Sequence, residues 1–149
     1  MLIQAQPGKH RLRDRTIPFL LRLGTAASES LVDGKGVGFM CTMAAGFVGV
    51  QSRLSFQLRG GGTFTVQTDD RYWLRCLLVE RNYETDIDHF LSRALTPSDS
   101  FLDCGANLGL WSIAAARVIA DARRVVAVEA GSRTFEQLEL NWAANDRSF

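Results

Sequence analysis

Long hydrophobic runs, an excess of one charge and paired cysteines are all missing from this chain of 149 residues. Gly36 to Ser52 carries no charge, but it falls short of the roughly 20 apolar residues that span a bilayer and is broken by four glycines. It reads as a buried or irregular segment, and no stable membrane span is expected. A signal peptide also fits poorly, because the basic start is followed only by the short apolar run Ile17 to Leu21, which Arg22 interrupts. The formal charge of +1 exerts no general pull toward nucleic acid or anionic lipid. Lys9, Arg11, Arg13, Arg15 and Arg22 against Asp14 do make the first segment basic, which reads as a solvated arm, and no nucleic-acid partner is expected. Cys41, Cys76 and Cys104 are odd in number and far apart, so neither a Cys-x-x-Cys metal site nor a disulfide framework is indicated, and a reducing cytoplasm fits best.

What is present is the balance of a globular domain, with 46% hydrophobic and 22% charged residues. Residues 1–43 show weak periodicity and glycine-rich spacing, as expected of a loose extension. Residues 44–98 read as a hairpin and a helix. Leu54, Phe56 and Leu58 alternate with Ser55 and Gln57, Phe64 and Val66 alternate with Thr65 and Gln67, and Gly60-Gly61-Gly62 lies between the runs. Period-two runs around a glycine turn predict a hairpin. From Glu84 the period changes: Ile87, Phe90, Leu91 and Leu95 fall on one helical face until Pro97, and His89 beside them reads as a surface or capping histidine.

Residues 99–149 form a different pattern. A strand at Ser100 to Cys104, a glycine loop, an Ala- and Ile-rich helix at Leu110 to Ala120, a strand at Val125 to Glu129 and a helix capped by Ser132 succeed one another. Phe135, Leu138 and Trp142 mark the buried face of that last helix. Strand, helix, strand, helix argues a parallel α/β sheet. Asp103-Cys104-Gly105-Ala106-Asn107-Leu108-Gly109 then falls at the carboxyl edge of the first strand, where such sheets bind ligands, and Glu129 closes the second strand, twenty positions after Gly109. A carboxylate there can accept hydrogen bonds from both ribose hydroxyls.

A nicotinamide-dinucleotide site shares this outline but wants Gly-x-Gly-x-x-Gly, with the pyrophosphate against the helix N-terminus. This chain has Gly-x-x-x-Gly preceded by Asp103. A carboxylate repels pyrophosphate and attracts the ammonium or sulfonium of S-adenosylmethionine, so the charge favours the methyl donor. The plain structural alternative is a glycine pair that eases helix-on-strand packing.

Phe101-Leu102-Asp103-Cys104-Gly105-Ala106-Asn107-Leu108-Gly109-Leu110-Trp111-Ser112 resembles the core motif of the FkbM-type methyltransferases, and Phe135 to Asn141 is similar to the helix that follows their acidic strand end. The similarity extends over residues 60–149, through Asp69-Asp70-Arg71, Tyr83-Glu84 and the helix before Pro97. The resemblance implies the N-terminal half of a Rossmann-like class I methyltransferase fold, preceded by a small β-hairpin plus helix region. It implies S-adenosylmethionine as cofactor, with Asp103, Gly105, Asn107 and Gly109 at its methionine end and Glu129 at the ribose. It also implies methyl transfer to a hydroxyl oxygen of a small molecule, sugar, lipid or other secondary metabolite. Tyr83-Glu84 either reaches the cofactor from upstream or simply starts a helix. Ala130-Gly131-Ser132 departs from the proline-bearing turn usual in the family.

No catalytic base is identifiable, since the acceptor-binding half of that fold is expected after Phe149. Two parallel strands alone should leave an unpaired strand edge and both sheet faces short of helices, favouring self-association. Three readings stay open: an incomplete O-methyltransferase, a non-catalytic cofactor-binding or regulatory module, and an unrelated nucleotide-binding α/β domain.

Overall fold

The computed structural model describes residues 4–6, 53–77 and 83–145. Most of the expected extension at 1–43, and all of the uncharged run at 36–52, lie outside them. The chain divides into two compact units, Met1–Gln57 with Thr65–Tyr83, and Leu58–Phe64 with Glu84–Phe149.

The hairpin forms as its alternation predicts. Strands β2 (Arg53–Gln57) and β3 (Thr63–Gln67) are neighbours in one sheet. The connection closes through Leu58 N to Gly62 O at 2.9 Å and Gly61 N to Leu58 O at 3.0 Å. Gly60, Gly61 and Gly62 all take positive φ, which a side chain would resist. Phe56, Leu58, Phe64 and Val66 are buried, as their period-two spacing requires.

In the first unit, strand β1 (Gln4–Gln6) pairs antiparallel with β2, Ala5 opposite Phe56. Little stable structure is expected there from the sequence, and β1 is an addition to it. Backbone pairing at a sheet edge needs no hydrophobic pattern in the added strand, so periodicity could not announce it. Helix α1 (Arg71–Arg75) is also new. The Asp70 carboxylate caps it by accepting from Trp73 N at 3.1 Å. Trp73, buried, stacks at a tilt on Tyr83 with centroids 4.7 Å apart.

The second unit carries the α/β pattern. Helix α2 (Thr85–Ala94) is followed by strand β4 (Phe101–Cys104), helix α3 (Leu110–Val118), strand β5 (Val125–Val128) and helix α4 (Ser132–Ala143). Strands β4 and β5 are parallel and in register from Phe101 opposite Val125 to Cys104 opposite Val128. Helix α3 packs on both strands, and α2 packs on α3. The chain is therefore a mixed α/β protein with small sheets and four α-helices among the described residues.

Helix α3 packs on the small parallel sheet, while Leu102, Cys104, Val126 and Val128 remain exposed. Two local expectations change. On α2 only Leu91 is buried, while Ile87 and Phe90 are exposed, although α2 packs on α3. Ser132 is not the cap of α4: Gly131 holds the cap position, and its carbonyl accepts from Phe135 N at 2.8 Å. Leu138 and Trp142 are buried as predicted, together with Gln137 and Asn141.

Among the described residues no helix is long and apolar enough to cross a membrane. Cys76 and Cys104 are free thiols, the first buried and the second exposed.

Candidate functional site

The turn between β4 and α3 reverses the chain through three positive-φ residues: Gly105 at +80°, Asn107 at +51° and Gly109 at +84°. Asparagine is among the few residues with a side chain that tolerate this region. The turn is stitched onto the end of β5. Val128 O accepts from Gly105 N at 2.8 Å and Ala106 N at 3.0 Å, and Gly109 N closes on Ala106 O at 2.8 Å. Glu129 completes the attachment. Its Oε2 accepts from Asn107 N at 2.9 Å, and its Oε1 accepts from Gly131 N at 2.7 Å.

The structure thus brings Asp103, Gly105, Asn107, Gly109 and Glu129 to one strand edge, but they do not serve the turn alike. A Cβ at Gly105 would meet nothing within 4 Å, so that glycine faces open space. A Cβ at Gly109 would stand 3.2 Å from Leu138 Cγ, so that glycine admits helix α4. Buried Asn141 reinforces this packing through Nδ2, which donates to Leu108 O at 2.9 Å. Without it the inner carbonyl of the turn would be buried without this donor.

Asp103 lies on the half-buried side of β4 with Phe101, and its Oδ2 accepts from Ser112 Oγ at 2.6 Å. Ser112, fully buried in the first turn of α3, is a functional candidate that motif reading missed. Its signal was available, because Ser112, Ala115, Ala116 and Ile119 repeat at the spacing of one buried helical face. A polar residue on such a face needs a partner, and Asp103 supplies it. Glu84 holds the N-cap position of α2 at a left-handed φ of 42°, and its carbonyl accepts from Ile87 N at 3.0 Å and Asp88 N at 3.2 Å. Its side chain does not cap the helix; Oε2 accepts instead from Trp111 Nε1 at 3.1 Å. His89 is exposed, and its carbonyl accepts from the Ser92 hydroxyl at 3.0 Å.

Asp103, Glu129 and Glu84 have no ion-pair partner among the described residues. Negative charge therefore gathers around the turn without a fixed cation. The four amides of Gly105, Ala106, Asn107 and Gly109 are already committed to protein acceptors and are not free to cradle an anion. Chemically the edge suits a ligand that carries positive charge and hydroxyl donors, and suits a polyphosphate poorly. No group of three or more His, Cys, Asp or Glu that could hold a metal ion occurs among the described residues.

Comparison with known proteins gives no assignment. No family model, curated protein or solved structure matches the chain. The residues and their geometry carry the functional reading alone.

Proposed function

We propose that the Cys104–Gly109 turn, with Asp103 and Glu129, binds S-adenosylmethionine, and that the protein is a methyltransferase of the FkbM type acting on a hydroxyl oxygen of a sugar, lipid or secondary metabolite. The observation that carries the choice of cofactor is the combination, at one strand edge, of spent amides with two carboxylates that have no counter-charge and keep accepting capacity. A dinucleotide pyrophosphate needs free amides and finds carboxylates. A sulfonium donor with an ammonium group finds the opposite sign.

The residues fit the group. Gly105 leaves open space where a side chain would stand. Each oxygen of Glu129 accepts one backbone amide and retains a lone pair for a ribose hydroxyl. Asp103 spends Oδ2 on Ser112, which leaves Oδ1 to attract the ammonium or sulfonium charge, directly or through water. Gly109 and Asn141 contribute by holding the turn against α4. When bound, the cofactor supplies an electrophilic methyl group for attack by an oxygen nucleophile. The chain's own task at this edge is to fix the donor's orientation, which contributes much of the acceleration of an in-line transfer.

Calorimetry of the full chain with S-adenosylmethionine and with NAD tests the reading. The methyl donor should bind and NAD should not. Asp103→Ala and Glu129→Ala should each weaken donor binding about tenfold or more, the loss of a charge-assisted hydrogen bond. Wild-type affinity in both variants, each shown to be folded by circular dichroism, would remove the site assignment. Donor binding without turnover on any hydroxyl acceptor would favour a non-catalytic cofactor-binding module.

A further inference from the structure

Asp103 and Glu129 are held in different ways. Glu129 is fixed by two backbone amides, those of Asn107 and Gly131. The Asp103 carboxylate has one hydrogen-bond partner among the described residues, the Ser112 hydroxyl at 2.6 Å. We propose that Ser112 is a positioning residue of the donor site: its hydroxyl sets the orientation of Asp103 and, through it, the affinity for the charged methionine end of S-adenosylmethionine. The inference rests on the methyl-donor reading and adds to it the residue on which the Asp103 contact depends.

The surroundings of Ser112 direct its proton to that carboxylate. Ser112 is completely buried, on a helical face that it shares with the apolar Ala115, Ala116 and Ile119. A serine within a helix commonly returns its proton to the carbonyl four residues back. Here that carbonyl belongs to Leu108 and is engaged by Asn141 Nδ2 at 2.9 Å, while the Ser112 hydroxyl donates to Asp103 Oδ2. A buried hydroxyl needs such a partner, and its place in the first turn of α3 fixes where Oδ2 must lie.

The consequence falls on Oδ1. Asp103 is half-buried at the end of β4, and with one oxygen tied to a rigid helix the other is held in place too. Without the Ser112 bond the carboxylate would sample other rotamers, and ordering it again on binding would cost affinity. Glu129, with its two amide bonds, needs no such help. The effect of Ser112 should therefore be confined to the part of the ligand that meets Asp103.

Calorimetry of the full chain with S-adenosylmethionine and with methylthioadenosine separates positioning from mere support of the fold. Methylthioadenosine keeps the adenosine but lacks the ammonium and sulfonium charges, so it depends on Glu129 and not on Asp103. Ser112→Ala should weaken S-adenosylmethionine about three- to tenfold and leave methylthioadenosine unchanged. Ser112→Thr, which keeps the hydroxyl, should restore the donor affinity. Adding Ser112→Ala to Asp103→Ala should cause no further loss, because the hydroxyl acts only through that carboxylate. Equal weakening of both ligands in Ser112→Ala, unchanged affinity for both, or a further loss in the double variant would each overturn the positioning role and leave the methyl-donor reading standing. So would a folded Ser112→Thr that binds no better than Ser112→Ala. If threonine overpacks this buried position and the variant does not fold, the alanine variants decide alone. A wild-type chain that binds neither ligand would overturn the methyl-donor reading, and the positioning role with it.

Discussion

Replacing Gly109 with alanine should cost the second unit about 2–5 kcal/mol, and replacing Gly105 with alanine about 1–2 kcal/mol. The two glycines have nearly the same backbone, φ +84° and +80°. A side chain in this left-handed region costs about 1–2 kcal/mol at either position. They differ in what a Cβ would meet: nothing within 4 Å at Gly105, and Leu138 Cγ at 3.2 Å at Gly109. Leu138 is completely buried and cannot swing into solvent, so the extra methyl falls in the overpacking range of about 1–3 kcal/mol. Urea denaturation followed by tryptophan fluorescence reads both values. For a unit of this size each kcal/mol also lowers the melting temperature by roughly 4–8 °C. Gly105→Asn should be milder than Gly105→Ala, because asparagine tolerates positive φ. Equal losses at the two positions would show that the Leu138 contact has no energetic weight, and a neutral Gly109→Ala would refute the backbone argument as well.

Asn141→Leu should destabilise the protein by about 1–3 kcal/mol in the same denaturation assay, because Leu108 O loses its buried donor. The Asp99 carboxyl should titrate below the usual carboxylate value of about 4, since it accepts from the Thr96 hydroxyl and then the Thr96 amide. The contribution of that loop is therefore complete above the ordinary value and lost as pH falls through the lowered one. Carbon-detected NMR titration checks this, and in Thr96→Val the Asp99 value should move back toward normal. Phe90→Ser should leave stability within about 0.5 kcal/mol of wild type, whereas Leu91→Ala should cost about 2–5 kcal/mol. Their exposures of 67% and 6% set that contrast, which thermal melts can measure.

Local chemistry in the sequence determined most of the elements. Alternation around Gly60-Gly61-Gly62 specified the hairpin, and period and proline placement bounded α2. The order of apolar runs gave strand and helix their sequence from Phe101 to Ala143. The same local reading located Asp103, the glycine pair and Glu129 at strand ends, because a strand that becomes a helix must turn there.

Partnership was decided only in the tertiary structure, since hydrogen bonds and side-chain contacts form between residues that periodicity treats separately. Glu129 reaches back across the chain to the amide of Asn107, and Asp103 is held by Ser112 on the following helix. Two glycines identical in the motif separate into one facing open space and one admitting Leu138. The apolar stripe of α2 is the reverse case: its spacing promises burial, but burial depends on a covering surface, and among the described residues only Leu91 is buried on that helix. Arg117 is equally silent in sequence, an ordinary basic residue in the last turn of a helix. Only the tertiary structure gives it a distant partner, the Arg59 carbonyl in the hairpin turn.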